Sequence, residues 1–267
     1  MARSGPDVMK QVQGKVYLVG AGPGAPDLLT LRAARLLALA DVVYYDALVH
    51  PETLALAAHA VKVAVGKRSG RHSTAQRFIN KQLVDAAQKY QTVVRLKGGD
   101  PMLFGRAQEE IDALGAAGVA LEIVPGVSAA FAASADLQLS LTRRAFSRSV
   151  VFATPREALG SKENTWAKSA AAADTAVLYM AAGTAQAVSD ALIANGVPAS
   201  RPAVIVENAS NDQRKVIPTT VGGLPAAAQG VGAGPALVMV GEVYADVQTA
   251  LSGDVMSPTL QPVCKSA

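Results

Sequence analysis

Apolar residues along this chain arrive in two rhythms. Short runs rich in valine occupy 16–19, 42–45, 61–65, 93–96 and 121–124. Runs this short and this rich in branched side chains read as strands buried on both faces. Longer Ala- and Leu-rich stretches lie between them. "APDLLTLRAARLLALA" (25–40) predicts one helix with Pro26 and Asp27 in its first turn. "HPETLALAAHA" predicts a short helix, and Ser73 with Gln76 a capping box opening a helix that runs to Lys89. A further helix is expected over 107–117. Strand and helix alternate five times, which implies a mainly parallel sheet with helices on its faces.

The alternation stops at "QLSLTRRAFSRS" (138–149) and then resumes. Strands are expected at 150–153, 177–180, 203–207 and 236–240, with a helix at 184–195 stopped by Gly196 and Pro198. "DQRKVIPTTV" (212–221) reads as an antiparallel excursion. The expected fold is α/β: two α/β domains with mainly parallel sheets and a ligand cleft between them. The N-terminal domain is placed at 14–137, a linker at 138–149 and the C-terminal domain at 150–250. Residues 1–13 and 251–267 are expected to be flexible ends.

Composition narrows the class. Half of the 267 residues are hydrophobic and only 4% are aromatic. The single cysteine, Cys264, allows no intrachain disulfide or cysteine-based zinc site. His50, His59 and His72 lack metal-ligand spacing, so no metal is expected. No apolar leader and no uncharged run of about 18 residues is present, which predicts a soluble, cytoplasmic protein without membrane contact. Net charge is only +4, but residues 62–106 hold ten Lys or Arg against Asp85 and Asp100, a surplus of eight. Such a local field suits a polyanionic partner: a multi-carboxylate metabolite, a phosphate ligand or nucleic acid.

The strand ends carry the candidate chemistry. Gly20, Gly22 and Gly24 follow the first strand in G-x-G-x-G spacing with Pro23 inside, which differs from the dinucleotide fingerprint G-x-G-x-x-G. Asp46 follows the second strand, where a carboxylate could accept a proton. "GKRSGRHS", with Lys67, Arg68 and Arg71, follows the third. "RLKGGDPMLFGR" (95–106) closes the fourth, its glycines thinning the backbone between cations. "VPGVSAA" closes the fifth, where Ser128 could cap the next helix. All these ends share one edge of the sheet.

Together "GAGPGAPDLLTLRA", "YDALV", "GKRSGRHS", "RLKGGDPMLFGR", "VPGVSA", Tyr179–Met180 and "GEV" (241–243) resemble the uroporphyrinogen-III C-methyltransferases, within the tetrapyrrole (class III) methyltransferases. The likeness runs from about residue 14 to 247. It implies two S-adenosylmethionine-dependent methylations of uroporphyrinogen III, giving precorrin-2 with S-adenosylhomocysteine as by-product. It also implies a homodimer and a small tetrapyrrole substrate that accounts for the basic block without nucleic acid; at 267 residues the chain is short for the family's fused forms, so a stand-alone enzyme is expected. By resemblance, Pro23, Gly98, Gly99, Asp100, Leu103, Ser128, Ala129, Met180 and Ala209 match cofactor contacts. Asp46 matches the proton acceptor and Lys67 the proton donor. Arg106, Glu109, Arg144 and Met180 match residues linked to substrate or turnover, and Arg68 and Arg71 are candidates for its carboxylates. The chain departs from the family pattern at Ala25, Ala107-Gln108, Ala153–Arg156, Ala181 and Ala209-Ser210. A later precorrin C-methyltransferase is the nearest alternative. A nucleic-acid-binding protein without catalysis is another, weakened by the scarcity of aromatics among the cations.

Overall fold

A computed structural model describes residues 14–65, 73–156 and 165–247. The chain divides into two compact units. The first holds the described residues up to Asp136, together with Val206–Lys215 and Gly232–Leu237. The second holds Leu137–Ile205, Val216–Val231 and the chain from Val238 on. The division leaves no separate linker at 138–149. It also returns two segments of the expected C-terminal domain to the first unit. Asp136 explains part of this: its carboxylate accepts from Ser210 N (2.7 Å) and from the Arg214 guanidinium (2.8 Å), while Ser210 Oγ accepts from Ala25 N (3.0 Å).

The first unit is built on five strands: β1 (Lys15–Gly20), β2 (Val42–Tyr45), β3 (Val61–Ala64), β4 (Thr92–Lys97) and β5 (Ala120–Val124). Their order is β3-β2-β4-β1-β5, and every pair is parallel. Helices α1 (Leu31–Leu39), α2 (Pro51–Ala55), α3 (Ser73–Ala87), α4 (Ala107–Ala116) and α5 (Ala129–Asp136) follow the strands in turn. Strand side chains alternate between faces, and the core divides accordingly. Val16, Leu18, Val42, Tyr44 and Val93 pack with Ile79 and Leu83 of α3 and Leu114 of α4. Val19, Val43, Val94 and Leu96 pack with Ala33 and Leu37 of α1.

The stretch 25–40 is not the single helix its composition suggests. A 3-10 turn spans Pro26–Leu28, Leu29 and Thr30 are extended, and only then does α1 begin. Thr30 is the cause: its Oγ1 accepts from Ala33 N (3.2 Å), capping the helix five residues later than the proline would start it. Gln76 donates its amide to Asn80 and Glu110, and the side chain of Ser73, the other half of the expected capping box, lies outside the described residues.

In the remainder of the chain, β6 (Val150–Ala153), β7 (Thr175–Tyr179), β8 (Pro202–Glu207), β9 (Lys215–Thr220) and β10 (Ala236–Gly241) form a sheet of order β6-β7-β10-β8-β9. β6 and β7 are parallel, with Val150 opposite Thr175. Helices α6 (Trp166–Ala172), α7 (Ala185–Ala194) and α8 (Leu224–Ala228) complete it. Among the described residues, no helix is long and apolar enough to cross a membrane.

Candidate functional site

Parallel strands deliver all their carboxyl ends to one edge, so the loops after β1, β2, β4 and β5 meet there. Three of them touch through backbone. Gly22 and Gly99 exchange hydrogen bonds, with Gly99 N donating to Gly22 O (2.7 Å) and Gly22 N to Gly99 O (3.3 Å). Gly20 lies against Gly126 and Gly99 so closely that a Cβ on it would sit 2.6 Å from Gly126 Cα and 2.7 Å from Gly99 O. Gly99 itself has φ +68°, and a Cβ there would meet nothing within 4 Å. One glycine thus lets chains approach, while the other bends the chain and leaves an open backbone surface.

Two carboxylates fix this edge. Asp46 Oδ2 accepts from Gly98 N (3.2 Å) and its Oδ1 from Leu48 N (3.1 Å), tying the β2 loop to the β4 loop. Asp100 Oδ1 accepts from Met102 N (2.8 Å) and Oδ2 from Gly126 N (2.9 Å), tying the β4 loop to the β5 loop. Each carboxylate is therefore oriented by main-chain donors, with lone pairs left over for a further partner. Pro23 on the loop after β1 and Leu103 on the loop after β4 are half-buried, while Ser128 is buried and Ala129 opens α5.

Beneath the edge lies a charged cluster that the sequence presents only as a run of cations. Arg95 and Lys97 alternate with Leu96, so they point to the same face as Val93, under α3 and α4. Both are buried, and so is Glu110 of α4. Glu110 accepts from Lys97 Nζ (3.0 and 3.1 Å), Arg95 Nε (3.1 Å) and Gln76 Nε2 (3.2 Å). Burial, then the neighbouring Arg95, pushes the Lys97 ammonium below its usual pKa, against the opposing pull of Glu110 and Asp46. Arg95 and Lys97 are thus structural cations, unlike the ligand-facing flank their position beside "GGD" suggests. The sequence signal for Glu110 is its spacing: it lies three residues after Ala107 and four before Leu114, on the buried stripe of α4.

The β4 loop ends in a strained turn. Phe104 (φ +52°) and Arg106 (φ +55°) are both left-handed, a conformation costing on the order of 1 kcal/mol each for residues with side chains. Arg106 forms a two-pronged ion pair with Glu109 (2.6 and 2.7 Å), which presents the two as a unit. Lys67, Arg68 and Arg71 lie outside the described residues. Ala209 belongs to the first unit and is buried in a loop held by Asp136, between left-handed Asn208 and Ser210. Met180 and Arg144 belong to the second unit. Met180 follows β7 with φ +56° and is exposed, and Arg144 is exposed on a turn bridged by Arg143 and Ser147. Among the described residues, no group of His, Cys, Asp and Glu is arranged to hold a metal.

Residues 15–225 match the family model for tetrapyrrole (corrin/porphyrin) methylases. A sirohaem synthase of Chromobacterium violaceum is 46% identical over 233 residues, covering 86% of this chain and 49% of that protein. The chain spans about half the length of the curated relatives it matches. Among solved structures, the uroporphyrin-III C-methyltransferase of Thermus thermophilus complexed with S-adenosylhomocysteine superposes with a TM-score of 0.74 at 37% identity, covering 86% of this chain and 98% of that one. A cobalt precorrin-4 methyltransferase of cobalamin biosynthesis gives 0.77 at 29% identity, covering 86% and 95%. With four-fifths of its length under the family model and a sheet edge of interlocked glycine loops, the chain belongs to the tetrapyrrole (corrin/porphyrin) methylases.

Proposed function

We propose that this chain is a uroporphyrinogen-III C-methyltransferase, transferring two methyl groups from S-adenosylmethionine to uroporphyrinogen III to give precorrin-2. The observation that carries the reading is the interlock of Gly20, Gly22, Gly99 and Gly126, which leaves an open main-chain surface at Gly99 with Asp46 anchored one residue away. The open surface and the small neighbouring residues suit a cofactor that lies flat on backbone. Pro23, Gly98, Gly99, Asp100, Leu103, Ser128, Ala129 and Ala209 would hold it, and Met180 is assigned to it by resemblance. When bound, S-adenosylmethionine supplies a methyl group already activated on a sulfonium.

The chain's own residues then have to orient the partners, exclude water and take up a proton. We assign the last task to Asp46. Its two N–H donors hold the carboxylate still, and a free lone pair can accept the proton lost from the carbon that gains the methyl. Lys67 is assigned as proton donor by resemblance. Arg106 with Glu109, Arg68, Arg71 and Arg144 are assigned to the substrate's carboxylates. A cytoplasmic homodimer serving sirohaem, cobalamin or haem d1 synthesis completes the proposal.

The test is an anaerobic incubation with S-adenosylmethionine and uroporphyrinogen III, read by product mass. The expected result is a product heavier by two methyl groups. Cofactor binding without any mass gain overturns the substrate assignment and favours a later precorrin C-methyltransferase, with which the chain shares as much backbone likeness but less identity.

A further inference from the structure

We propose that Ser210 and Asp136 are positioning residues for the cofactor, bracing the loop after β1 so that Pro23 and Ala209 keep a fixed separation. The inference rests on the cofactor reading above, which gives neither residue a role. Three segments far apart in sequence meet at this brace: the β1 loop, the end of α5 and the loop after β8, all within the first unit. Ser210 is the joint. Its N–H donates to Asp136 Oδ2 (2.7 Å), and its Oγ accepts from Ala25 N (3.0 Å). Asp136 Oδ1 takes the Arg214 guanidinium (2.8 Å), so both carboxylate oxygens are committed to one loop. Asn211 lies over Gly24 so closely that a Cβ on the glycine would sit 2.8 Å from Asn211 Cγ. The start of the same loop is fixed by buried Glu207, whose carboxylate accepts from Gly232 N (3.0 Å) and Gly234 N (2.9 Å).

Local structure disfavours the residue types at both positions. Ser210 holds φ +66°, where glycine would cost less, but glycine has no hydroxyl to offer Ala25. Asp136 is the last residue of α5, where the helix dipole repels a carboxylate, and the last turn holds no basic residue. What both residues gain in return is the tie between the 208–214 loop and the β1 loop. Pro23 adjoins Gly24 and Ala209 adjoins Ser210, so the two cofactor residues stand directly beside the two contacts that join the loops. A ligand gripped by main chain depends on where the loops stand, because backbone cannot adjust as a side chain can. Ser210 and Asp136 thus act on the cofactor through Pro23 and Ala209.

Substitution at Ser210 sets stability against affinity. Ser210→Gly removes the hydroxyl but relieves the left-handed backbone, so the two effects on Tm oppose and it should change little. S-adenosylhomocysteine, titrated calorimetrically, is expected to bind that variant about tenfold more weakly. Ser210→Thr keeps the hydroxyl but puts a branched side chain in a left-handed backbone, so Tm should fall while cofactor affinity stays within about twofold of wild type. Asp136→Ala should also lose about tenfold, and the Asp136→Ala/Ser210→Gly double variant no more than the larger single loss, because both act along one path. Uroporphyrin III, the oxidised octacarboxylate, reports its own binding by fluorescence, and its affinity should be unchanged in Ser210→Gly. Wild-type cofactor affinity in Ser210→Gly, cofactor affinity that follows Tm through the two Ser210 variants, an equal loss of porphyrin affinity, or additive losses in the double variant overturns the inference. A wild-type protein that binds S-adenosylhomocysteine through this brace but does not methylate uroporphyrinogen III removes the reaction and leaves the inference standing. A wild-type protein that binds no S-adenosylhomocysteine overturns both.

Discussion

Gly20 and Gly99 sit on the same edge but are glycines for different reasons, and substitution separates them. At Gly20 an added methyl would overlap backbone atoms of two other loops, which have no side-chain freedom with which to yield. At Gly99 it would meet open space and incur only the left-handed penalty, roughly 1–2 kcal/mol. Gly20→Ala is therefore expected to unfold the protein at markedly lower temperature. Gly99→Ala should lower Tm by a few degrees at most while losing S-adenosylhomocysteine affinity by an order of magnitude. Differential scanning fluorimetry and calorimetric titration read the two effects. Unchanged cofactor affinity in Gly99→Ala means the open backbone is not the ligand surface. The glycines, Asp46 and Asp100 were legible in sequence because loop composition after a strand is a local signal. The use to which Asp100 is put was not. Both its oxygens are committed to N–H groups, one of them 26 residues away, and that pairing exists only once β4 and β5 flank β1.

At the level of elements, strands are more legible in sequence than helix starts. Valine-rich runs have a single stable place in a two-sided parallel sheet, so β2 and β6 fall where their sequences put them. Helix starts depend on which of several capping groups wins, and Thr30 overrode Pro26. Strand pairs also carry clamps that periodicity does not disclose. Asp174, just before β7, accepts from the N–H groups of Arg148 and Ser149 and from Ser149 Oγ, pinning the start of β6 to the start of β7. The Arg148 N–H first, then the two Ser149 donors, hold its carboxyl below the ordinary value of 3.8. A depressed carboxyl pKa stabilises the fold above the unfolded value, and that contribution is lost as pH falls through the folded value. Asp174→Asn is thus expected to lower Tm by a few degrees at neutral pH. The gap to wild type should narrow on acidification below 3.8. A gap that stays constant across that window assigns the effect to something other than the ionised clamp.

Across the whole molecule, the surplus of eight positive charges between residues 62 and 106 overstates the field a ligand meets. Arg95 and Lys97 are buried against Glu110, Lys81 pairs with Asp85, and Arg106 pairs with Glu109, a residue just beyond the block. Charge counted along a sequence ignores burial and ignores partners one helical turn away, which is why the fold thins the surplus without cancelling it. Lys62, Arg77 and Lys89 remain exposed, and Lys67, Arg68 and Arg71 add to the same stretch of sequence. The remaining field acts over about a Debye length, roughly 8 Å at physiological ionic strength, so it must fade with salt. An octacarboxylate should feel that loss on every arm, whereas S-adenosylhomocysteine, with little net charge, should not. Raising potassium chloride from about 50 mM to about 500 mM is therefore expected to weaken uroporphyrin III binding on the order of tenfold and to leave S-adenosylhomocysteine binding within about twofold. Fluorescence titration for the first and calorimetry for the second separate the cases. A porphyrin affinity indifferent to salt means that the macrocycle is held by its apolar face alone, and that the basic stretch serves something other than this ligand.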